Sequence, residues 1–428
     1  MKELTRSLSN KFSVKKRKKK NKVGPTGCSF GTEESNVKVI IRVRPFIGRE
    51  TKLKAKNCLD LHPGDNAITL NHSAVDSKTK PRKFTFDQVF GPKEDQEDIF
   101  ENGPRQIIEK ALIGFNGTIF CYGQTGSGKT YTMYGTAGGP GIVYSANQFI
   151  QGFIDQQQDT GKTYKRQVTF IEIYNEELKD LLVDRKQGQS PKLKIREDPV
   201  QGVYVENAIH RDIDSVDQLA AILDLGQKRR TVGATEMNAE SSRSHSVLGI
   251  HLTIDSADHV VPQKSTLYLV DLAGSEKAGA MNTGKVSTKK NVRLQEGIKI
   301  NLSLSTLGHV IKSLCEKQQH IPYRNSQLTR LLKDSLGGNS MTMMIANLSP
   351  ADVNYADTLS TLQFANRAKS IKNKATKYKD PKSARIAELQ EELMMLQTEF
   401  GEFKMKCTCQ GDDDRGNQTQ QGACCLVM

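Results

Sequence analysis

The stretch Gly123–Thr130 reads GQTGSGKT and matches G-x-x-x-x-G-K-[ST], the pattern of a phosphate-binding loop. It follows the apolar run Gly117–Tyr122 (GTIFCY), which is typical of a buried strand. Its glycines let successive backbone N–H groups point into one cavity, and Lys129 adds a positive charge for terminal phosphates. Thr130 offers a hydroxyl to magnesium. The alternative is a glycine-rich turn that matches by chance, which the preceding strand disfavours.

Strands and helices alternate on both sides of this loop. A strand that ends at proline is predicted at Asn36–Pro45, a second strand at Phe84–Asp87 and a helix near Glu94–Ile113. Two further apolar strands are expected at Val168–Tyr174 and Thr266–Gly274. This order favours one α/β domain with a central mixed sheet and helices on both faces.

An acidic residue, Asp271, ends the apolar strand LYLVD and begins the segment DLAGSE. A carboxylate at the C-terminal end of a buried strand is where a phosphate-loop protein needs a group that reaches magnesium through water. Gly274 lets a backbone N–H approach a terminal phosphate, and Glu276 lies within reach of the same pocket. An Asp in this position is often only a turn former, but the phosphate loop favours the metal role.

A polar loop at Asn238–Ser246 reads NAESSRSHS. Ser241 and Ser242 offer hydroxyls to magnesium or water, and Arg243 can hold a carboxylate with two hydrogen bonds. Glu276 is the expected partner of Arg243. Taken alone, the stretch is also compatible with an ordinary polar loop, because its residue types are common there.

The formal net charge of +14 would suggest a polyanionic partner. Residues 1–22 hold ten Lys or Arg and one acid and supply +9 of it, so the remaining chain carries about +5. Residues 1–35 are expected to be a disordered basic arm, which is either a solvated charge run or a nuclear signal or tether. Nucleic acid is not an expected partner.

No membrane span is expected, because no apolar run approaches ~20 residues. No secretory signal is expected either, because the N-terminus carries charge without the apolar segment of a signal peptide. The eight cysteines do not suggest a disulfide framework, since they are divided between apparent core elements and the C-terminal residues. A zinc site at Cys407 and Cys409 is disfavoured, because the usual spacer and a second ligand pair are missing.

The motifs GQTGSGKT, NAESSRSHS and DLAGSE, in this order, resemble the kinesin motor domain. The likeness continues through RVRPF, GFNGTIFCYG, HIPYRNSQLTRLLKDSLGGNS and DTLSTLQFANRAKSIKNKA, between Arg42 and Ala375. Ile300–Ile311 and Asp380–Leu393 are most similar to the intraflagellar-transport class. The resemblance implies a P-loop NTPase fold and a microtubule-stimulated, plus-end-directed ATPase of the cytoskeleton, with the cilium as a further location. Two alternatives stay open, a kinesin that acts on microtubule ends and a static scaffold that binds microtubules or membranes.

The resemblance also implies site residues. The catalytic residues would be Lys129, Ser241, Ser242, Arg243 and Glu276, with the Arg243–Glu276 pair closing around the γ-phosphate and Glu276 accepting a proton through a second water. Magnesium would be held by Thr130, by Ser242 and, through water, by Asp271. Arg42, Pro45 and Tyr131 would form the adenine slot, with Phe115 nearby. The remaining ATP or ADP contacts would be Gly123, Gln124, Thr125, Gly126, Ser127, Gly128, Asn238 and Gly274.

The expected microtubule-binding surface is cationic. Clustered positive charges would steer an acidic filament into contact, although a solvated loop is the alternative. The residues concerned are Lys277, Lys285, Lys289, Lys290, Arg293, Arg324, Arg330 and Lys333. Gln327 stands where the family commonly has lysine, and the loop after DLAGSE is longer than usual.

The chain is expected to divide into the arm (1–35), the motor domain (36–370), a neck linker (371–384), a short amphipathic or coiled-coil neck (385–408) and a flexible tail (409–428). A heptad seam predicts a weak homo- or heterodimer through residues 386–407, against a single amphipathic helix. The seam consists of Ile386, Leu389, Leu393, Leu396, Phe400, Phe403 and Cys407. The final residues CLVM fit a prenylation pattern, so Cys425, with Cys424 beside it, is a candidate membrane tether.

Overall fold

The structure is a computed structural model that describes residues 32–71, 80–136, 139–157, 159, 161–183, 192–199, 202–232, 243–256, 262–276, 288–377 and 381–408. The expected basic arm up to residue 31, the lengthened loop after Glu276 and the tail with Cys424 and Cys425 lie outside these residues.

The strands are β1 (Thr32–Asn36), β2 (Lys38–Val43), β3 (Leu59–His62), β4 (Ala67–Leu70), β5 (Arg82–Thr85), β6 (Gln88–Phe90), β7 (Gly117–Tyr122), β8 (Gly135–Thr136), β9 (Gly139–Pro140), β10 (Lys162–Tyr174), β11 (Glu177–Asp180), β12 (Lys194–Asp198), β13 (Gly202–Glu206), β14 (Arg211–Asp212), β15 (His245–Ser256), β16 (Gln263–Asp271), β17 (Met341–Leu348) and β18 (Lys372–Thr376).

The α-helices are α1 (Gly48–Lys52), α2 (Gln96–Asn102), α3 (Pro104–Ala111), α4 (Lys129–Tyr134), α5 (Ile142–Gln156), α6 (Val216–Val232), α7 (Thr288–Cys315), α8 (Gln327–Leu331), α9 (Tyr355–Ala368) and α10 (Pro381–Thr408). Short 3-10 turns stand at Pro63–Asp65, Tyr323–Asn325 and Asp352–Asn354. Among the described helices, none combines the length and apolar character that crossing a membrane requires.

A nine-stranded mixed sheet organises the described residues, in the order β11-β10-β15-β16-β7-β17-β2-β6 with β14 beside β10. Strands β16, β7, β17, β2 and β6 are parallel neighbours, and the pairs on the β11 side are antiparallel. The predicted α/β class and mixed sheet are therefore confirmed.

The central strand β7 is buried along its whole length because both faces of the sheet are covered. Phe120 and Tyr122 join a core that includes residues of α7, α8 and α9. Ile119 and Cys121, which point the other way, join a core built with α2, α3, α5 and α6. Helices thus cover both faces, as predicted.

Two local predictions need correction. The single helix expected near Glu94–Ile113 is two helices, α2 and α3, because Gly103 has non-helical angles (φ −139°, ψ −85°) and Pro104 starts a new helix. The expected disordered arm ends earlier than residue 35, since β1 begins at Thr32. Its residues are ordered by antiparallel pairing with β18, in a register that aligns Thr32 with Thr376.

Strand β18 lies in the segment expected to be the neck linker, and Asn373 attaches it to the body. The Asn373 Nδ2 atom donates to the carbonyl oxygens of Ser335 (2.9 Å) and Ser340 (2.7 Å), while Oδ1 accepts from the Gly337 N–H (2.8 Å). The following helix α10 starts at Pro381, inside the range expected for the linker.

Candidate functional site

The phosphate loop and DLAGSE lie side by side because β7 and β16 are neighbouring parallel strands. Asp271 at the end of β16 is aligned with Cys121, two residues before the loop begins at Gly123. The Ser275 N–H donates to the Gly123 carbonyl oxygen at 3.1 Å. The two segments therefore meet at the carboxyl edge of the sheet, where ligands of open α/β sheets bind.

Two glycines shape the loop. Gly128 has φ of 99°, in the left-handed region that favours glycine, and it directly precedes α4. At Gly123 an added Cβ would lie 2.3 Å from the carbonyl oxygen of Asn347. A side chain at Gly123 would therefore displace β17, which packs against the loop.

Lys129 is buried within the loop, with 7% of its surface exposed. Its Nζ atom donates to the carbonyl oxygens of Gly123 and Gln124, both at 2.9 Å. Burial lowers the pKa of Lys129, because water that would stabilise the ammonium is excluded. The charge is held close to the loop backbone, where the sequence motif predicted it.

Thr130 and Asp271 meet, as their predicted metal roles require. The Thr130 hydroxyl donates to Asp271 Oδ2 at 2.7 Å. Three buried acceptors of the phosphate loop and the end of β16 have no hydrogen-bond partner within the described part of the chain, namely Gln124 Oε1, Ser127 Oγ and Asp271 Oδ1. Buried acceptors of this kind are costly unless something donates to them. They fit a ligand that brings its own donors, such as a magnesium ion with its waters.

Glu276 reaches back over the loop to Thr125. Its Oε2 accepts from the Thr125 N–H at 2.7 Å, and its Oε1 accepts from the Thr125 hydroxyl. Gly274 lies directly beneath, because a Cβ there would overlap the Thr125 hydroxyl. The predicted pair with Arg243 is not among these contacts of Glu276 and stays a prediction.

Arg42 and Tyr131 come together as expected for the adenine slot, with the guanidinium carbon 5.0 Å from the ring centroid. Arg42 is fixed by hydrogen bonds to Gln96 Oε1 (2.6 Å) and Thr132 Oγ1 (2.8 Å). The Tyr131 side chain stays 43% exposed, which leaves aromatic surface for stacking.

Pro45 is exposed and stands three residues after Arg42 in the chain, but Phe115 is not near the slot. Phe115 precedes β7, whereas the phosphate loop follows it, so about 20 Å of strand separates them. Phe115 is buried instead near Lys377, whose Nζ lies 5.7 Å from its ring centroid. The expectation of Phe115 beside the adenine slot was wrong.

Arg44 contacts the phosphate loop, although the sequence did not identify it as a site residue. Its Nε donates to the Gly126 carbonyl oxygen of the loop at 2.7 Å. Its two terminal nitrogens hold the Glu50 carboxylate in a two-pronged bond of 2.6 and 2.7 Å. This bond lowers the pKa of Glu50 to about 2. The RVRP pattern gives a signal for Arg44, but none for Glu50.

Arg230, at the end of α6, is a second unpredicted residue. Its buried guanidinium lies 3.5 Å from Asp271 Oδ2 and 3.7 Å from Glu172 Oε1. It also donates to the Ser244 carbonyl oxygen at 2.9 Å. Arg230 thus offsets the charge of the carboxylate expected to serve magnesium. Nothing in its local sequence signals this role.

His245 joins three segments. Its Nδ1 accepts the Ala273 N–H at 3.0 Å, so the ring proton lies on Nε2, which donates to the Ser303 hydroxyl at 2.7 Å. Burial lowers the pKa of His245 to about 3, so the ring is neutral at physiological pH. The ring connects the start of β15, the DLAGSE segment and α7.

The other predicted site residues differ in how far they are described. Asn238, Ser241 and Ser242 lie outside the described residues, as do Lys277 and Lys285, while Lys289, Lys290 and Arg293 lie in α7. Arg324 is exposed. Arg330 donates to the Ile195 carbonyl oxygen at 3.0 Å, and Lys333 forms an ion pair of 2.5 Å with Glu197. The Arg330 and Lys333 side chains therefore contact β12 within the chain.

Comparison with known proteins identifies relatives of this chain. The kinesin motor domain family matches residues 42–371. The kinesin-like protein klp-20 of Caenorhabditis elegans is 45% identical over 365 residues, which is 84% of this chain and 54% of that protein. The kinesin-like protein KIF3C of Bos taurus is 40% identical over 389 residues, 85% of this chain and 48% of that protein. The chain spans about half the length of the curated relatives it matches.

Two solved structures share the fold. A fast kinesin matches with a TM-score of 0.72 and 39% identity, over 81% of this chain and 94% of that one. A KIF14 dimer with AMP-PNP, in complex with a microtubule, matches with the same TM-score and identity, over 81% of this chain and 97% of that one.

Proposed function

The chain belongs to the kinesin motor family, and from this premise we propose that it is a microtubule-stimulated ATPase that converts hydrolysis into movement. The observation that carries the proposal is the contact between two loops. The phosphate loop is joined to DLAGSE by Thr130–Asp271 and by Thr125–Glu276. A nucleotide bound there would touch both segments at once.

Phosphoryl transfer requires mainly positioning and charge stabilisation from a protein. Lys129 would balance phosphate charge, and Arg44 and Arg230 would hold the loop and Asp271 in place. Bound magnesium would neutralise phosphate oxygens, held by Thr130, Ser242 and, through water, Asp271. Glu276 would leave Thr125, pair with Arg243 and accept the proton of the attacking water through a second water.

The neck linker would transmit this change at the nucleotide site to the rest of the molecule. Its strand β18 pairs with β1 and is anchored to the body by Asn373, so its release would break both the strand pairing and the Asn373 hydrogen bonds. We propose that nucleotide exchange shifts the equilibrium between paired and released β18, which would move a load attached after it toward the plus end.

Further aspects of the proposal concern partners and location. The KIF14 structure is of a dimer in complex with a microtubule, and we extend the tubulin partner to this chain. The heptad seam on α10 would support a weak dimer. Cys425, with Cys424, would add a membrane tether, and the likeness to intraflagellar-transport kinesins supports a location in cilia.

A gliding assay tests the proposal together with its rivals. Surface-bound protein should move microtubules in the presence of ATP, with filament length unchanged and phosphate release rising when microtubules are added. Shortening or growing filaments without gliding would favour the action on filament ends. Binding without ATP turnover would favour the scaffold and overturn the motor.

A further inference from the structure

We infer that His245 is a positioning residue that couples the microtubule-facing helix α7 to the nucleotide site through its hydrogen bond to Ser303. The inference deepens the proposed function and rests on it, since it assigns residues to the stimulation of turnover by microtubules. It concerns a side chain that touches neither phosphate loop residues nor the predicted magnesium ligands among the contacts described above.

Two hydrogen bonds fix the orientation of the His245 ring. A backbone N–H can only donate, so the Ala273 N–H at 3.0 Å requires an unprotonated Nδ1. Nε2 must then carry the proton and donate to Ser303 Oγ at 2.7 Å. His245 is 2% exposed and Ser303 is 2% exposed, so water cannot substitute for either partner without opening the core.

The His245 ring holds the DLAGSE segment through Ala273. Ala273 is fully buried and stands between Asp271, which accepts the Thr130 hydroxyl, and Gly274, which lies under Thr125. The backbone of His245 is paired with Ile173, and its neighbour Ser246 is aligned with Asp271. A displacement of the ring would therefore reach DLAGSE between the residues that contact Thr130 and Thr125 of the phosphate loop.

The second partner of the His245 ring lies in the helix that carries expected microtubule contacts. Ser303 lies in α7, the helix that also contains Lys289, Lys290 and Arg293, three of the expected microtubule contacts. Arg293 and Ser303 are ten residues apart, about 15 Å along a helix axis. A packed helix of this length moves as a unit, so a shift imposed at its cationic end would reach Ser303.

The chain offers a matched control on the same helix. Ser305 is exposed and its hydroxyl donates to the Leu302 carbonyl oxygen of its own helix at 3.2 Å. Substitution of Ser305 removes a hydroxyl from α7 without touching His245. Comparison with Ser303 therefore separates the coupling bond from a general effect on the helix.

The experiment measures phosphate release by the full chain, with and without polymerised tubulin, for Ser303→Ala, Ser303→Thr and Ser305→Ala. Loss of one buried hydrogen bond should lower the stimulated kcat of Ser303→Ala about two- to tenfold. Its turnover without microtubules should stay near that of the unsubstituted chain, whereas its thermal midpoint should fall by a few degrees, because the buried His245 Nε2–H loses its acceptor. Ser303→Thr, which keeps the hydroxyl, should restore stimulation, and Ser305→Ala should behave like the unsubstituted chain.

Two results for the variants would overturn the inference. One is full stimulation of Ser303→Ala, and the other is an equal fall of its basal and stimulated rates, which would indicate a structural role only. Failure of the proposed function is distinguishable, because the unsubstituted chain would then show no stimulation at all. That outcome removes both the function and the coupling role.

Discussion

At the scale of the single residue, the proposed role of Glu276 in catalysis is incompatible with the contacts that its carboxylate makes in the structure. In the structure its carboxylate accepts both donors of Thr125, where a terminal phosphate would otherwise receive them. The proposed catalysis needs the same carboxylate near Arg243 and the attacking water. An arriving γ-phosphate would compete for Thr125 and release Glu276 for its catalytic role.

Replacement of this residue separates binding from turnover. Glu276→Ala should keep ATP affinity near that of the unsubstituted chain, because the loop and Lys129 remain. Stimulated kcat should fall by roughly 100-fold or more, because the proton acceptor is lost. Fluorescent-nucleotide titration and phosphate release measure the two quantities. Glu109→Ala on the exposed face of α3 is the control, and normal stimulated turnover in Glu276→Ala would contradict the assignment.

Glu50 provides a prediction for the pH dependence of stability. Its pKa is lowered to about 2 in the folded state by Arg44, against an ordinary value of 4.5. The folded state thus binds its proton less tightly than the unfolded state does, so this contribution is complete above pH 4.5 and is lost as pH falls toward 2. At neutral pH it amounts to up to roughly 3 kcal/mol.

Urea unfolding of the chain and of Glu50→Gln at several pH values tests this sign. The difference in the free energy of unfolding should be largest near pH 7 and should shrink below pH 4.5. Glu97→Gln, on the exposed side of α2, should show no such change. A difference that stays constant between pH 7 and pH 3.5 would mean that Arg44 does not stabilise the ionised carboxylate.

At the scale of elements, the Asn373 side chain makes the largest set of hydrogen bonds between β18 and the body, beside the Lys374 N–H that donates to the Gly338 carbonyl oxygen at 3.1 Å. Asn373 is 1% exposed and satisfies a backbone N–H and two carbonyl oxygens of the turn between α8 and β17. The neighbouring Lys374 points to solvent. The alternation places one anchoring residue and one solvated residue side by side in the same strand.

Asn373→Ala should release the β1–β18 pair. The loss leaves buried groups without partners and should lower the free energy of unfolding by on the order of 3 kcal/mol. Hydrogen exchange should accelerate at amides 32–36 and 372–376 before it changes in β7. Lys374→Ala should leave both measurements unchanged, and slow exchange of β18 in Asn373→Ala would show that the strand is held without this side chain.

The elements that could be predicted from the sequence are those with a local pattern. The phosphate loop, β7 and Asp271 were predictable because each depends on a local pattern: an apolar run followed by glycines, or an apolar run closed by a carboxylate. Strand β1 was not, since TEESN has low β-propensity and pairs with a strand far along the chain. Arg230 and His245 were missed for a related reason, because their roles come from long-range packing.

At the scale of the whole molecule, α10 presents an apolar seam that the described residues leave exposed. Leu393, Leu396 and Phe400 are 57%, 62% and 68% exposed. Their spacing of three and four residues places them on one face of the helix. A second copy of this face would cover them, although Gly401 and the short length limit the stability of such a pair.

We therefore expect reversible self-association in sedimentation equilibrium, with a dissociation constant on the order of 10 µM or weaker. Leu393→Asp places a charge in the seam and should abolish it. Met395→Asp is the matched control, because Met395 is 62% exposed but off the seam. Equal weakening by both variants, or a strictly monomeric chain, would favour the single amphipathic helix.

The pairing of β1 with β18 also has a consequence for biosynthesis. A ribosome adds about 5–20 residues per second, so the roughly 340 residues between Thr32 and its partner Thr376 take about 20 to 70 s to emerge. During that time the nascent β1 has no strand to pair with. Strand β2 likewise lacks its parallel neighbour β17 until about 300 further residues have been synthesised. Domain closure is thus a late event in translation, and the growing polypeptide presents unpaired strand edges that chaperones would need to shield until its final elements appear.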